Sequence, residues 1–566
     1  MQSTISESDI VLCWDDFDQK LLPKNINVEV IKRLSLGQQQ QVTSGLTDYI
    51  RHRCNANKYL ECFINDYYSY SLKPVLSAVV TIEALIKLYN IKSILVITAS
   101  TNSDLIPLVG FQTTESKRGS TQLLKARLAK QLPKTFPNVE ISYQYTKADI
   151  LCNENIRLLL LGTAGLFLSV FFIFRLIMLR FLNKDTEEKN IVLIRTVHQA
   201  RFARRLLSES NQFSLLIFPQ LSQGGISNIR ASLPNNVDFI SPKINEIIMG
   251  VFRTVKDIAK LSKHRCKETY YLNIDGMDIP IEIDSLRKEI IVVSVAILYK
   301  NILSQTLARN KLYKKLVNFE LVGRMAGLEA LAAAEQYKVI ETVQTALISS
   351  SPLPIFPHST NFYADSYQTV KSIQNIGALV KGTVKYEGPP YPVLELETKE
   401  GGLSSIGFFT QPYEIEYTLK ILTALCDWAI FNQKKVILKL HPRDDKKLYA
   451  TLLEKYKGFL FVDEGNTAPN VISQCDLTIT RTSSVAKESL ALGKPILLCL
   501  WSELDRSIRA DYIVDSDNGK NFVCNESDLI DVLDHKLEMI FKISRQSQEN
   551  IFKSKRIDNL VAQLQK

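Results

Sequence analysis

The sequence predicts an α/β protein built on parallel sheets, and two observations support this fold class. Short apolar, β-branched runs alternate with longer helix-like stretches along most of the 566 residues. Strands that are apolar throughout are typical of parallel sheets covered on both faces. The composition, 46% hydrophobic and 23% charged, excludes a disordered chain, and at about 150 residues per domain the length allows two to four domains.

Strand-like and helix-like stretches alternate on both sides of one long apolar run. Before that run, a helix is predicted at 75–89 between strands at 9–14 and 92–98. After it, a basic helix is predicted at 198–209, and strands are predicted at 190–196, 214–220, 289–298 and 337–345. We therefore expect 1–156 and 184–385 to form one Rossmann-like domain.

The apolar run covers residues 158–174 and contains no charged side chain. As a helix it would be about 25 Å long, slightly shorter than the hydrocarbon core of a bilayer. Basic residues flank it, namely Arg157, Arg175 and Arg180, as is common at membrane interfaces. We predict a membrane-associated helix at 157–183 that lies in or re-enters the membrane, because a crossing would separate the two flanking α/β segments. A fully buried core helix is the alternative.

The last third of the chain shows the clearest alternation. A turn-rich passage from Gly382 predicts a linker at 386–402, and terminal helices are predicted at 528–566. Between them, at 403–527, five strands alternate with helical crossovers; the strands begin near Ser404, Lys434, Gly458, Asp476 and Lys494. This order predicts a second Rossmann-like domain, with its ligand at the carboxyl ends of the strands.

Polar residues follow four of these strands, where they could hold a phosphate. The sets are Thr410-Gln411, Lys439 with His441-Pro442-Arg443, Asp463-Glu464-Gly465-Asn466, and Arg481-Thr482-Ser483-Ser484. Hydroxyl and imidazole groups can donate hydrogen bonds to phosphate oxygens and balance the charge that grows on a leaving group. Alternatively, Ser484 is an ordinary helix N-cap, with Glu488 in the first turn, and His-Pro is an ordinary turn.

Two of these stretches carry a resemblance to a known family. LKLHP at 438–442 and TRTSSVAKESLALGKPIL at 480–497 resemble the donor half of bacterial GT-B glycosyltransferases, closest to the sialyltransferase, polysialyltransferase and capsule Kdo transferase group. The resemblance implies that His441, Ser483 and Ser484 hold the phosphate of a CMP-activated sugar. It extends the expected donor-binding set to Thr410, Gln411, Lys439, His441, Pro442, Arg443, Thr482, Ser483, Ser484 and Glu488.

The general base is predicted from the other half of the chain. The family carries an acidic-acidic-Gly motif ahead of His-Pro, whereas here Asp463-Glu464-Gly465 follows His441 and does not match that position. The stretch 318–347 resembles the last helix and strand of a GT-B acceptor domain. We expect Glu320 to be the catalytic base beside His441, with Asp275 and Glu329 as weaker candidates, and we expect the acceptor to contact Arg324, Gln344 and Glu329.

The predicted architecture is thus GT-B-like, with two Rossmann-like domains facing a cleft and the hydrophobic helix inserted in the first. The predicted function is an inverting glycosyltransferase at the cytoplasmic face of the inner membrane, with a nucleotide-sugar donor and a lipid-linked or surface glycan acceptor. We expect no cofactor and no metal site. A nucleotide-sugar 2-epimerase on the same fold, or a non-catalytic glycan-binding subunit of polysaccharide assembly, remains an alternative.

Charge and cysteine content support this reading. The net charge of +10 is small for the length; we assign it to membrane-surface and phosphate attraction and expect no nucleic-acid partner. Nine scattered cysteines without a CxxC pair indicate a reducing compartment.

Overall fold

The computed structural model describes twenty-seven stretches of the chain. They are residues 10–13, 28–30, 34–53, 59, 61–63, 68, 72–89, 91–97, 131–143, 154–182, 190–208, 213–218, 226–234, 239–263, 269–281, 294–309, 314–319, 324–336, 338–344, 360–375, 382–396, 402–411, 413–441, 444–507, 512–517, 519–553 and 557–565.

The chain divides into two compact units. The N-terminal unit comprises Met1–Thr342, Pro352–Asn361 and Ala378–Thr383. The C-terminal unit comprises Val343–Ser351, Phe362–Gly377 and Val384–Lys566. The α/β class and the parallel sheets are confirmed in both units.

A four-stranded parallel sheet is formed before the apolar run. Its strands are β1 Ile10–Cys13, β2 Val28–Val30, β3 Ser93–Ile97 and β4 Glu140–Tyr143, in the order β2-β1-β3-β4. The helices that precede or contain the apolar run include α1 Leu36–Arg53, α2 Lys73–Tyr89 and α3 Glu154–Leu182. The apolar strands predicted at 9–14 and 92–98 are confirmed as β1 and β3.

A seven-stranded sheet follows α3 in the chain. Its strands are β5 Asn190–Ile194, β6 Phe213–Ile217, β7 Phe239–Ile240, β10 Lys315–Asn318, β11 Val339–Val343, β12 Asn361–Tyr363 and β13 Thr383–Lys385, in the order β13-β12-β11-β10-β5-β6-β7. A separate antiparallel hairpin joins β8 Tyr270–Ile274 to β9 Met277–Ile281. The helices are α4 Val197–Ser208, α5 Ile226–Ala231, α6 Ile244–Lys263, α7 Ser294–Ala308 and α8 Arg324–Glu335.

One strand predicted from the sequence is wrong in its described part. The run 289–298 was expected to be a strand, but Ser294 begins helix α7, while 289–293 lie outside the described residues. Nearly every residue of α7 is buried, from Val295 to Leu307. The part of the predicted run that begins α7, residues 294–298, is apolar apart from its serine and is buried from Val295 on, so periodicity cannot distinguish it from a buried strand.

The apolar run lies within helix α3, and the structure corrects the expectation of a membrane-inserted helix. One face of α3 is part of the core of the N-terminal unit, where Phe172, Leu176 and Leu179 are fully buried. The Phe172 ring lies 6.1 Å from that of Tyr299 on α7 and 6.2 Å from that of Phe218. Within the ranges given above, no helix is long and apolar enough to cross a membrane.

The C-terminal unit is built on a six-stranded parallel sheet. Its strands are β14 Ser405–Phe409, β15 Lys435–Lys439, β16 Leu460–Val462, β17 Leu477–Thr480, β18 Ile496–Cys499 and β21 Phe522–Val523, in the order β16-β15-β14-β17-β18-β21. The short strands β19 Asp515–Ser516 and β20 Gly519–Lys520 pair separately. All five strands predicted for this part of the chain are confirmed.

The helices of the C-terminal unit include the crossovers that the alternation predicts between the strands. They are α9 Tyr367–Asn375, α10 Ile415–Phe431, α11 Ala450–Lys455, α12 Ala468–Ser473, α13 Val485–Ala491, α14 Glu503–Ser507, α15 Glu526–His535, α16 Leu537–Phe552 and α17 Ile557–Gln565, with a 3₁₀ turn at Lys446–Tyr449. Helix α13 stops at the predicted Gly493, whose φ of +71° suits glycine. A Cβ there would lie 2.2 Å from the carbonyl oxygen of Glu395.

The predicted linker is described as far as residue 396, and it packs within the C-terminal unit. Leu396 belongs to a buried cluster with Leu490 and Ile496. The backbone N–H of Leu394 donates to the carbonyl of Ala491 at 2.7 Å. This segment is therefore fixed to the unit whose sheet it precedes.

Candidate functional site

The strand order of the C-terminal sheet reverses between β14 and β17. The chain runs from β14 through β15 to β16 on one side, and continues with β17, β18 and β21 on the other. Ligands of open parallel sheets bind outside the carboxyl ends of the strands at such a switch point. The candidate site is therefore the edge where β14, β15 and β17 end.

The register brings the predicted residues of three strands to the same level. Phe409, at the end of β14, pairs with Lys439 of β15 and with Thr480 of β17. Two residues further along, these strands present Gln411, His441 and Thr482. Because neighbouring strands lie about 4.8 Å apart, His441 and Thr482 flank Gln411 at about 10 Å from one another.

Hydrogen bonds connect the two strands of the switch point. The Gln411 Oε1 atom accepts from the backbone N–H of Thr482 at 3.0 Å and from the Tyr413 hydroxyl at 2.7 Å. The Tyr413 hydroxyl also reaches the hydroxyl of Thr482 and, at 3.2 Å, Asp505 Oδ1. Burial, followed by the nearby Asp505 carboxylate, raises the pKa of Tyr413, so this phenol stays a hydrogen-bond donor at neutral pH.

The buried guanidinium of Arg481 packs against the Tyr413 ring and bonds Asp505, which is also a partner of the Tyr413 hydroxyl. Its Nε donates to Asp505 Oδ2 at 2.9 Å and its Nη2 to Glu414 Oε2 at 2.8 Å, and it lies 4.5 Å from the centre of the Tyr413 ring. Burial by itself would lower the pKa of Arg481, but the Asp505 carboxylate together with Tyr413 and Glu414 outweighs burial and raises that pKa. The sequence predicts Arg481 among the polar residues that could hold a phosphate, whereas here it is fully buried and bonded within the protein. Tyr413 and Asp505 were not assigned to the site from the sequence.

The Tyr413→Phe variant is expected to destabilise the C-terminal unit by about 1–2 kcal/mol, because it removes a buried hydroxyl with three partners. Since Gln411 and Thr482 then lose a shared hydrogen-bond partner, we also expect a several-fold rise in KM for the donor sugar. Urea unfolding and donor-hydrolysis kinetics measure the two effects. Tyr456→Phe, whose hydroxyl bonds Asp427 on another part of the unit, should leave KM unchanged; equal KM values for both variants would contradict the role of Tyr413.

Thr410 fixes the backbone of His441. Its Oγ1 accepts from the His441 backbone N–H at 2.8 Å and donates to the Asp444 carboxylate. Tyr449 also donates to that carboxylate, at 3.2 Å. His441 itself is half-buried, so part of this residue is open to solvent at the sheet edge.

Ser483 and Ser484 follow β17 as half-buried residues. Ser484 is the residue before α13, but its side chain makes no capping hydrogen bond, contrary to the N-cap alternative. Ser483 Oγ accepts from the backbone N–H of Val485 at 3.3 Å. The Ser484 hydroxyl has no partner in the described part of the chain, and both hydroxyls can still donate to a phosphate oxygen.

Exposure divides the predicted donor set into two groups. Thr410, Gln411 and Thr482 are at most 8% exposed. Thr410 bonds His441 after β15, and Gln411 bonds Thr482 after β17, so these residues hold the three strand ends together. His441, Ser483, Ser484 and Glu488 are half-buried. Pro442 and Arg443 lie outside the described residues, and a donor contact there stays a prediction.

Lys439 is engaged by a neighbouring loop. Its Nζ donates to the carbonyls of Asp463, at 3.1 Å, and Asn466. Asp463 also accepts from the backbone N–H of Asn466 at 2.9 Å. Although burial would raise it, the hydrogen bonds from Asn466 and Lys439 hold the pKa of the Asp463 carboxyl below its ordinary 3.8. The ammonium of Lys439 therefore anchors the loop after β16.

This loop is expected to loosen in acid. A carboxyl whose pKa is depressed by folding stabilises the fold above its ordinary pKa, and that stabilisation is lost as the pH falls through the folded value. We expect the Asn466 backbone N–H to be protected from hydrogen exchange at pH 7 and to lose protection, after correction for the intrinsic rate, below about pH 4. The Asp463→Ala variant, which has no side-chain acceptor, should lose this protection already at pH 7; protection equal to that of the parent protein would contradict the account.

In the N-terminal unit, Glu329 lies inside the core. It is fully buried, and its carboxylate accepts from Arg195 Nε at 2.6 Å, the Tyr299 hydroxyl at 2.8 Å and Asn318 Nδ2 at 2.8 Å. Thr342 donates to Asn318 in turn, at 2.7 Å. Glu329 is therefore closed to a dissolved acceptor, and it connects the ends of β5, β10 and β11 from within.

The other candidates of the acceptor side are placed as follows. Gln344, directly after β11, is buried and its Oε1 accepts from the Asp365 backbone N–H at 3.0 Å. Asp275 lies in the β8–β9 turn at a φ of 51°, where it accepts from Gln38 at 2.6 Å. Glu320 and the side chain of Arg324 lie outside what the structure describes, so their roles stay predictions.

Comparisons with known proteins give likenesses to solved structures alone. No family model and no curated protein matches the chain. The similar solved structures include UDP-GlcNAc 2-epimerases and glycosyltransferases. One is the UDP-GlcNAc 2-epimerase from Neisseria meningitidis bound to UDP-GlcNAc (TM-score 0.40, 10% identity, 66% of this chain and 98% of that chain).

A second is the pneumococcal O-GlcNAc transferase GtfA in complex with UDP and GlcNAc (TM-score 0.41, 10% identity, 67% of this chain and 98% of that chain). A third is the UDP-GlcNAc 2-epimerase from Methanocaldococcus jannaschii in complex with UDP-GlcNAc and UDP (TM-score 0.37, 13% identity, 66% and 98%). None of the three is a sialyltransferase or a Kdo transferase, so that finer resemblance stays a prediction. The function proposed below rests on the strand ends and not on these likenesses.

Proposed function

We propose that the chain is a glycosyltransferase that binds a nucleotide-sugar donor at the switch point of its C-terminal sheet. The observation that carries the proposal is the convergence of His441 with Ser483 and Ser484 at one sheet edge. Two hydroxyls and an imidazole there can donate to the donor phosphate and stabilise the charge that develops as the sugar leaves. Buried Thr410, Gln411 and Thr482 hold these donors in place.

The finer proposal is a CMP-activated nonulosonic acid, such as sialic acid or Kdo, as the donor. It is supported by the His-Pro and Ser-Ser motifs and their spacing of about forty residues in the sequence. Inverting transfer requires a carboxylate to take the proton of the acceptor hydroxyl, a role for which we propose Glu320. The acceptor proposed is a lipid-linked or surface glycan at the cytoplasmic face of the inner membrane, without a metal or cofactor in the reaction.

Hydrolysis of a panel of nucleotide sugars by the full chain tests the proposal. We expect slow release of CMP from CMP-sugars in the absence of an acceptor, faster release with a glycan acceptor, and slower turnover of UDP-sugars. Interconversion of a nucleotide sugar with its 2-epimer would identify the chain as an epimerase instead. Absence of both reactions together with retained binding of a glycan would favour the non-catalytic alternative.

A further inference from the structure

Helix α6 exposes large apolar side chains along one face. Five of its apolar residues are between 49% and 67% exposed: Ile244, Ile248, Met249, Phe252 and Val255. Steps of three and four residues place side chains on one side of a helix, so these five form one continuous stripe. A surface helix of a globular protein normally turns such a stripe toward the core. We call this stripe the α6 face.

The opposite side of α6 is already occupied by the core of the N-terminal unit. Gly250 lies against Ile302 of α7, where an added Cβ would be 2.5 Å from Ile302 Cγ1. Asn301 donates to Thr254 at 3.2 Å. Helix α7 is itself buried, so these contacts fix which side of α6 packs against the core. The α6 face lies on the other side and has no partner within the described part of this unit.

The charges of α6 are segregated by sign. Both acids point inward: Glu246 pairs with Arg309 at 2.6 Å, and Asp257 accepts from Tyr59 at 2.6 Å and from Asn301 at 3.0 Å. The exposed charged residues among the described side chains of the helix are all basic, namely Arg253, Lys256 and Lys260. The outer side of α6 thus combines apolar and aromatic groups with cations alone.

A second helix packed on α7 shows the same excess of exposed apolar groups. Helix α3, whose inner face contacts α7 through Phe172, leaves six large apolar side chains between 45% and 80% exposed: Leu166, Phe167, Val170, Phe171, Phe174 and Met178. Arg175 lies 5.4 Å from the centre of the Phe171 ring. Two helices on one buried helix therefore both present apolar surface.

We propose that the α6 face binds the anionic surface of a phospholipid bilayer, with its apolar side chains at the boundary of headgroups and acyl chains. Apolar groups bordered by lysine and arginine are typical of helices that lie in this interface. A second copy of the chain is disfavoured as the occupant, because pairing two α6 faces would bring their cations against one another. This inference rests on the proposed function for the identity of the membrane, the inner membrane at which the acceptor is proposed, but it does not depend on the transfer reaction.

Co-sedimentation of the full chain with vesicles tests this surface. We expect binding to vesicles of phosphatidylcholine with phosphatidylglycerol, and weaker binding to phosphatidylcholine alone or at high salt. Phe252→Asp with Val255→Asp should weaken binding at least about tenfold, and Lys256→Glu or Lys260→Glu about fivefold each. The substituted residues are exposed, so their variants should fold; hydrolysis of soluble donor, measured separately, should be unchanged.

Matched controls come from exposed residues of the C-terminal unit. Phe431→Asp replaces an 88% exposed phenylalanine, and Lys457→Glu replaces an exposed lysine; both should bind vesicles like the parent protein. Undiminished binding by the Phe252→Asp, Val255→Asp variant would overturn the inference. A second result would also overturn it: the parent protein forms a dimer and does not bind vesicles, and the double variant is a monomer. The α6 face would then be a contact between copies. If the parent protein binds vesicles but does not hydrolyse any nucleotide sugar, the transferase proposal is refuted and the proposal for the α6 face is not.

Discussion

The His441→Ala variant is expected to lose donor turnover by about 10²–10³-fold, the effect of removing one donor that stabilises a developing oxyanion. The backbone N–H of His441 is bonded to Thr410 and the residue is half-buried, so alanine removes the imidazole without removing the bond that holds the loop. We therefore expect kcat to fall while the urea midpoint stays close to that of the parent protein. Donor-hydrolysis kinetics and unfolding, measured on the same preparation, separate the two.

His535→Ala is the matched control for this prediction. His535 is exposed at the end of α15 in the same unit, away from the carboxyl ends of the strands. The control should keep full turnover. Near-normal transfer by His441→Ala, or an equal loss in His535→Ala, would contradict the assignment of His441 to the donor phosphate.

The Arg481→Met variant is expected to destabilise the C-terminal unit by about 3–5 kcal/mol, the cost of breaking a buried ion pair by removing one partner. Arg481 and Asp505 are both fully buried, and their atoms lie 2.9 Å apart. Methionine fills a similar volume but leaves the Asp505 carboxylate without its cation. Since Asp505 also accepts from Tyr413, the bridge between Gln411 and Thr482 should weaken as well.

Tryptophan fluorescence can isolate this effect. Trp428 and Trp501 belong to the C-terminal unit, and the third tryptophan, Trp14, can be replaced by phenylalanine in all variants. In that background, Arg506→Met is the control, because the exposed Arg506 donates to backbone carbonyls alone in the described structure. Adding Asp505→Asn to Arg481→Met should restore part of the stability. Equal urea midpoints for Arg481→Met and Arg506→Met would refute the role of the buried pair.

Local signals in the sequence predicted most of the C-terminal unit. Short, mainly apolar runs of four to five residues predicted β14, β15 and β17, and the polar residues directly after these runs predicted the candidate site. These signals are local, because a strand and its last residue are neighbours in the chain. The same reasoning failed for the first part of α7, because the buried residues 295–298 are all apolar and show no helical period.

The contacts that position the site could not be predicted in this way. Arg481 is bonded to residues 24 and 67 positions away in the chain, Asp505 and Glu414. Nothing near Tyr413 in the sequence shows that its hydroxyl joins two strand ends. The α6 face depends likewise on tertiary packing, since Arg309 and Asn301 turn the acids of α6 inward. These side-chain contacts depend on which elements the fold brings together, and the spacing of the residues in the sequence does not show them.

Hydrogen exchange of the full chain with and without CMP tests the central claim most directly. The nucleotide has no sugar to transfer, so the measurement reports binding alone. We expect new protection at Thr410 and Gln411, at His441, and from Thr482 to Ser484, with the Ser484→Ala variant requiring more CMP for the same protection. Protection confined to the N-terminal unit, or none at CMP concentrations that inhibit donor hydrolysis, would contradict a donor site at the ends of β14, β15 and β17.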